Sequence, residues 1–163
     1  MAQMSQLDQL ADRASKPSVV DRAEVQRIQT SLPLLRGQYP KTIDEVEQAK
    51  AAVERLSESA LESWIRQRIG TFLMHWFVSD LPGPAVRAIA DDWVAILNSY
   101  PQWAIEAACL WWLGPENANS HRKPSPGEIA KRASIEMTPV KSAVHLIEAY
   151  QKYGEKPPAI YRT

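Results

Sequence analysis

Cysteine, glycine, phenylalanine and histidine are scarce in this chain, with one, six, two and three copies in 163 residues. Each scarcity closes a chemical route. Cys109 stands alone, which excludes an intrachain disulfide and a cysteine-based zinc site. The six glycines are scattered and are followed by Gln, Thr, Pro, Pro, Glu and Glu, so no glycine-rich loop with its phosphate-binding lysine is present and a P-loop ATPase is excluded. His75, His121 and His145 are isolated, without a partner at helical spacing or a pair of close carboxylates, and no metal or other cofactor is expected. No apolar run approaches the ~20 residues of a membrane span. The opening MAQMSQLDQLADRASK lacks the apolar stretch of a signal peptide, so the expectation is a soluble protein of the bacterial cytoplasm. Nineteen basic residues balance nineteen acidic ones, and net charge points neither toward nor away from a polyanionic partner.

What is present is helical. Apolar residues make up 45% of the chain, enough for one sizeable core, and start signals, helical spacing and stop signals recur together while alternating strand patterns do not. The expectation is an all-α protein, one compact domain of about five to seven helices ending in a C-terminal helical pair. Residues 1–41 read as an N-terminal arm or linker with weak helices at 7–14 and 19–32, residues 42–153 as the helical domain, and 154–163 as a tail. Thr42 with Glu45, Ser59 with Glu62 and Ser125 with Glu128 have capping-box spacing, and Thr138 before Pro139 suggests a further cap. The predicted stripes run Ile43, Val46, Ala49 or Lys50, Val53, Leu56; then Leu61, Ile65, Ile69, Phe72, Leu73, Trp76, Phe77; then Val86, Ile89, Trp93, Ile96, Leu97. From Trp103 to Leu113 apolar residues occur almost all round the helix, marking the centre of the fold. Residues 114–124 are polar and turn-rich and are expected to form an exposed loop.

Within this frame no catalytic set emerges, and the chain is not expected to be an enzyme. Cys109 sits among apolar residues as a small hydrophobe, and His75 is expected to be a hydrogen-bonded packing residue. Asp91 and Asp92 are adjacent on a helix, point apart and read as exposed. Of the six tryptophans, Trp76, Trp93 and Trp111 fall on predicted buried stripes, whereas Trp64, Trp103 and Trp112 are open candidates for base stacking.

Charge is segregated despite its zero sum. Residues 42–64 carry six acids and two bases, and residues 120–163 carry eight bases and four acids. Either block could bind a different partner, or be an ordinary solvated face. The basic block contains a helix-turn-helix pattern from Ile129 to Ile147, with Ile129, Ala133, Ile135, Val140 and Ala143 as apolar contacts, Ala130 as the small position and Glu136-Met137-Thr138 as the turn. In that reading Thr138, Lys141, Ser142 and His145 face the major groove, with Lys131 and Arg132 toward phosphates. A helical hairpin that caps the core is the favoured structural alternative.

A wider pattern spans residues 85–135: Ala90-x-x-Trp93-x-x-x-Leu97-x-x-Tyr100-Pro101, then Ala107-Ala108 with Trp111-Trp112, then Lys123-Pro124-x-Pro126-x-Glu128-Ile129. It resembles the small phage replication proteins that load or inhibit a helicase and lack ATPase activity. The resemblance implies an all-α, non-enzymatic protein that binds a replicative hexameric helicase and delivers it to an origin complex or holds it inactive. The candidate partner-binding residues are Arg122, Lys123, Lys131, Arg132 and Lys141. Two alternatives stand beside this one: a helix-turn-helix DNA regulator, which would bind nucleic acid through Thr138, Lys141, Ser142 and His145, and a small phage inhibitor or scaffold directed at another host machine. A homo-oligomer through the amphipathic 43–56 helix is a further alternative.

Overall fold

The computed structural model describes residues 20–76 and 80–161. The helix expected at 7–14, Phe77 of the second stripe and Arg162 of the basic block lie outside them. Among the described residues seven α-helices follow in chain order: α1 (Arg22–Ser31), α2 (Ile43–Leu56), α3 (Glu62–Leu73), α4 (Gly83–Leu97), α5 (Gln102–Leu113), α6 (Pro126–Glu136) and α7 (Thr138–Tyr153). Short 3-10 turns occupy Pro33–Arg36 and Ala159–Tyr161. Among the described residues there is no strand, only an isolated bridge between Ser59 and Pro101, and the protein is an all-α single domain.

Local chemistry sets most of the boundaries. Asp21 accepts the Glu24 amide at 2.7 Å and opens α1, which stops before Pro33, because proline disfavours helical geometry in the residue ahead of it. Gly37, at φ 76°, closes the following turn in the left-handed region that suits glycine. Thr42 accepts the Glu45 amide, but the Glu45 carboxylate takes the Lys41 amide at 2.7 Å instead of completing a box. At Ser125 both halves of the box form. The predicted Ser59–Glu62 box does not: the Ala60 amide donates to the Tyr100 carbonyl at 2.9 Å, which keeps this stretch extended, and α3 starts from Leu61 without a side-chain cap. Thr138 is likewise the first residue of α7 and caps nothing.

The helices pack as two halves. In one, α3 lies on α4, and α6 lies between α4 and α5. In the other, α7 packs on α2, and the 33–36 turn fills the space beside α7, α2 and α1. The Trp103 indole N–H donates to the Leu56 carbonyl at 2.8 Å, and the Ala60–Tyr100 bond ties the halves again. The reading of 1–41 as an arm is corrected over its described part. Val20, Val25, Leu34, Leu35 and Pro40 are buried, and Leu34 is 0% exposed. The tail is also drawn in, since Tyr161 stacks on Tyr39, whose hydroxyl donates to the Gly154 carbonyl at 2.8 Å.

The predicted stripes hold at their centres and fail at their edges. Ile65, Ile69 and Phe72 are buried, but Leu61 is 70% exposed ahead of the first turn of α3. Ile43, Val86 and Ile96 are exposed, while Ala52 and Val94 take inward places. In α5, Trp103, Ala104, Ile105, Ala108, Cys109 and Trp112 are buried, as expected of a helix covered on several sides. His75 is exposed in the turn after α3, not packed in a helix. Tryptophan burial also differs from the expected split: Trp93, Trp103 and Trp112 are buried, and Trp64, Trp76 and Trp111 are half-buried.

Candidate partner-binding surface

α6 and the loop that leads into it carry four of the eight predicted binding residues, and α7 carries the other four. The loop is exposed over most of its length, as expected, but it is pinned at Asn117 and Pro124. Asn117 is buried, donates from its amide nitrogen to the Trp112 carbonyl at 3.0 Å and accepts the Asn119 amide at 3.1 Å. The Trp112 indole N–H donates to the Arg122 carbonyl at 3.1 Å, and Pro124 is buried. The loop's own polar groups thus replace solvent, which a turn-rich composition does not reveal.

Two arginine–tryptophan stacks follow from this anchoring. The Arg122 guanidinium lies 5.2 Å from the Trp112 ring centre, and that of Arg132 lies 4.4 Å from the Trp111 ring centre. Each arginine is also held by a carboxylate. Arg122 grips Glu128 with both terminal nitrogens, one at 3.0 Å, and Arg132 donates to Glu136 one helical turn on at 2.8 Å. The Arg122 fork and the Ser125 amide hold the Glu128 carboxyl well below the usual range, to about 2. The guanidinium of Arg122 is correspondingly raised through its bond to Glu128. Cys109 lies behind this surface in the core, where burial pushes its thiol up to about 12.

The other predicted residues separate into two groups. Lys123, just before the first turn of α6, and Lys131, on its solvent face, are exposed, and their side chains form no hydrogen bond or ion pair among the described residues, while the Lys123 carbonyl accepts from the Arg122 guanidinium at 3.5 Å. On α7, Thr138, Lys141 and His145 recur along the solvent side and Ser142 is half-buried. Lys141 reaches back to the Ser134 carbonyl at 3.1 Å and its hydroxyl at 2.5 Å, and His145 lies 3.7 Å from Glu148.

These positions do not make a helix-turn-helix hairpin. Only Met137 separates α6 from α7, and the two helices scarcely touch each other. Ile129 and Ala133 pack toward α5 and α4, whereas Val140 and Ala143 pack toward α2 and the 33–36 turn, and Ile135 is exposed. Pro139 accounts for the break: it has no amide to give the Ile135 carbonyl and its ring crowds that group. The apolar residues proposed to meet across a turn instead serve different halves of the molecule.

A cleft of about 500 Å³ between α1 and α5, reached by Glu136 at the end of α6, has no counterpart in the sequence reading. Its residues are split between positions 20–29 and 102–136, so no local motif announces it. Among the described residues no group of three His, Cys, Asp or Glu side chains could hold a metal ion, and no helix is long and apolar enough to cross a membrane. Comparison with family models, curated proteins and solved structures returns no match.

Proposed function

We propose that the protein is a non-enzymatic replication accessory factor of a phage or prophage that binds a replicative helicase, as a loader or inhibitor, through α6 and its approach loop. One observation carries the reading. The residues behind the resemblance to helicase loaders and inhibitors converge on a single unit, with Trp93, Leu97, Pro101, Ala108, Trp112, Pro124 and Ile129 all buried where α6 lies between α4 and α5. That unit leaves Lys123 and Lys131 turned outward on a rigid support, which suits a contact surface in which charge steers association and fixes register. Arg122 and Arg132 support the surface through their tryptophans and carboxylates and are not free for a partner without breaking those contacts.

Affinity capture from host lysate, with nuclease and at two salt concentrations, tests the proposal. Recovery of the replicative helicase despite nuclease, with a change in its unwinding or DNA loading when purified protein is added, is the expected result. A purified protein that neither binds the helicase nor alters its activity overturns it. Recovery of nucleic acid that salt removes would replace it with a DNA-binding reading.

A further inference from the structure

We infer that the α6 surface takes an acidic protein segment that also carries an apolar side chain, which deepens the proposal above and rests on its placing of the contact on α6. Charge along this face does not balance. Across residues 114–145 the carboxylates Glu128 and Glu136 are already held by Arg122 and Arg132, which leaves Lys123, Lys131 and Lys141 against the one remaining carboxylate, Glu116. Lys141 belongs to this set because its partners, the Ser134 carbonyl and hydroxyl, are neutral oxygens that orient the ammonium without cancelling it. The helices packed on α6 do not supply the missing negative charge. Glu106 of α5 pairs with Arg68 and Asp91 of α4 with Arg66, and the other α4 charges, Arg87 and Asp92, are one of each sign. The three lysines are spread along α6: Lys123 precedes its first turn, Lys131 stands midway and Lys141 reaches its last turn. Its 11 residues span roughly 16 Å, a row that a segment with several carboxylates can follow.

Ile135 favours a protein partner over a nucleic acid. It is 51% exposed, lies one helical turn from Lys131 on the same face, and follows Ser134, where Lys141 is held. An apolar side chain between cations is the centre-and-rim arrangement of a protein contact. A phosphate backbone would neutralise the lysines but would bury nothing apolar against Ile135. Because Ser134 already orders the Lys141 ammonium, little side-chain freedom is lost when a carboxylate meets it.

The test titrates the full chain with a capped peptide in which a leucine pair is flanked by glutamates, with its lysine counterpart, and with a short DNA duplex, read by calorimetry and by amide NMR shifts. Saturable binding of the glutamate peptide, weakened by salt and with shifts confined to residues 121–145, is expected. Ile135→Ser and Lys131→Gln should each weaken it by about fivefold or more, as loss of an anchor or of a facing charge does. Ile96→Ser and Lys41→Gln, exposed elsewhere, should leave it unchanged. Equal binding of the lysine peptide, glutamate-peptide binding indifferent to both Ile135→Ser and Lys131→Gln, or no saturable binding at all overturns the inference. Duplex binding that Ile135→Ser leaves intact overturns it in favour of a nucleic acid. Helicase capture fails or succeeds separately. A helicase captured equally by the parent and by the Ile135→Ser and Lys131→Gln variants defeats this inference alone, whereas a bound glutamate peptide without helicase capture defeats the helicase reading alone.

Discussion

In the half built from α3 to α6, helices that pack together are close in the chain, whereas the other half joins α1, the 33–36 turn and α2 to α7 from the far end. Tyr39 and Gly154, bonded at 2.8 Å, are 115 positions apart. The halves also differ in what holds them. Ion pairs cross between helices in both, Arg68–Glu106 and Arg66–Asp91 in the first and Arg55–Glu24 in the second, but among the described residues only the first adds arginine–tryptophan stacks, those of Arg122 and Arg132. Aliphatic contacts around Leu34, Val46 and Val140 dominate the other, with a tyrosine cluster at its edge. Contiguous segments can fold on local signals and carry surface chemistry, while a discontinuous half depends on burial that only the finished fold supplies.

The strongest way to break this comparison is to empty each core in turn. Phe72→Ala should cost about 3–5 kcal/mol and Leu34→Ala about 2–5 kcal/mol, because both side chains are fully enclosed. Denaturant unfolding should remain a single transition in each variant, since Trp103 to Leu56 and Ala60 to Tyr100 couple the halves. A Leu34→Ala cost below about 0.5 kcal/mol would return the 33–36 turn to the status of a linker. A biphasic transition would make the halves independent.

Next in size is Asn117→Ala, expected to cost about 1–3 kcal/mol, because it leaves the Trp112 carbonyl without its partner in a buried position and removes the acceptor of the part-buried Asn119 amide. An effect confined to the solvated range of about 0.5 kcal/mol would show that the 114–124 loop is not pinned.

These two residues also mark where sequence reading succeeds and stops. The Ser125–Glu128 box and the all-round burial of α5 are legible because the interacting groups are a few residues apart or repeat with the helical period. Leu34 sits between a proline and a glycine, a local pattern that reads as a break, and only the packing of α7, α2 and α1 around it makes it core. Asn117 in a polar run reads as solvated, and only the Trp112 carbonyl makes it structural. The same limit applies to the binding surface. The basic residues of 120–145 are visible as charge, but the partition into braced Arg122 and Arg132 and outward Lys123 and Lys131 depends on Trp111 and Trp112, on a different helix. Exposed Leu61 and Ile96 show the converse, apolar residues at the right period but at the rim of the packed face.

Smaller effects sharpen the chemistry of the contiguous half. Ser125→Ala should cost about 1 kcal/mol by removing the cap of α6. Glu128 adds a pH dependence of definite sign. Its folded carboxyl, held to about 2, lies below its unfolded value, so its contribution is fully present above about 4.5 and is lost as pH falls toward about 2. Glu128→Gln keeps an acceptor for the cap but removes the charge facing Arg122, and stability measured across this window should fall less steeply than in the parent. An unchanged slope would show that the Arg122 pairing does not persist in solution.

The smallest stability effect is expected where the functional one is expected to be largest. Lys131 lies on the solvent face of α6 with no partner among the described residues, and alanine is at least as good a helix former, so Lys131→Ala should change stability by no more than about 0.5 kcal/mol. The same holds for Lys123→Ala, which precedes the capped first turn. If the outward lysines serve association, the double variant should unfold like the parent yet capture less helicase, and raising salt should narrow the difference because it screens the steering charge in the parent. Arg132→Ala separates support from contact. It removes the cover of Trp111 and the Glu136 pair together, so it should lower stability as well as binding. A double lysine variant that binds as the parent does would move the contact off α6 and leave these lysines as ordinary solvated charge.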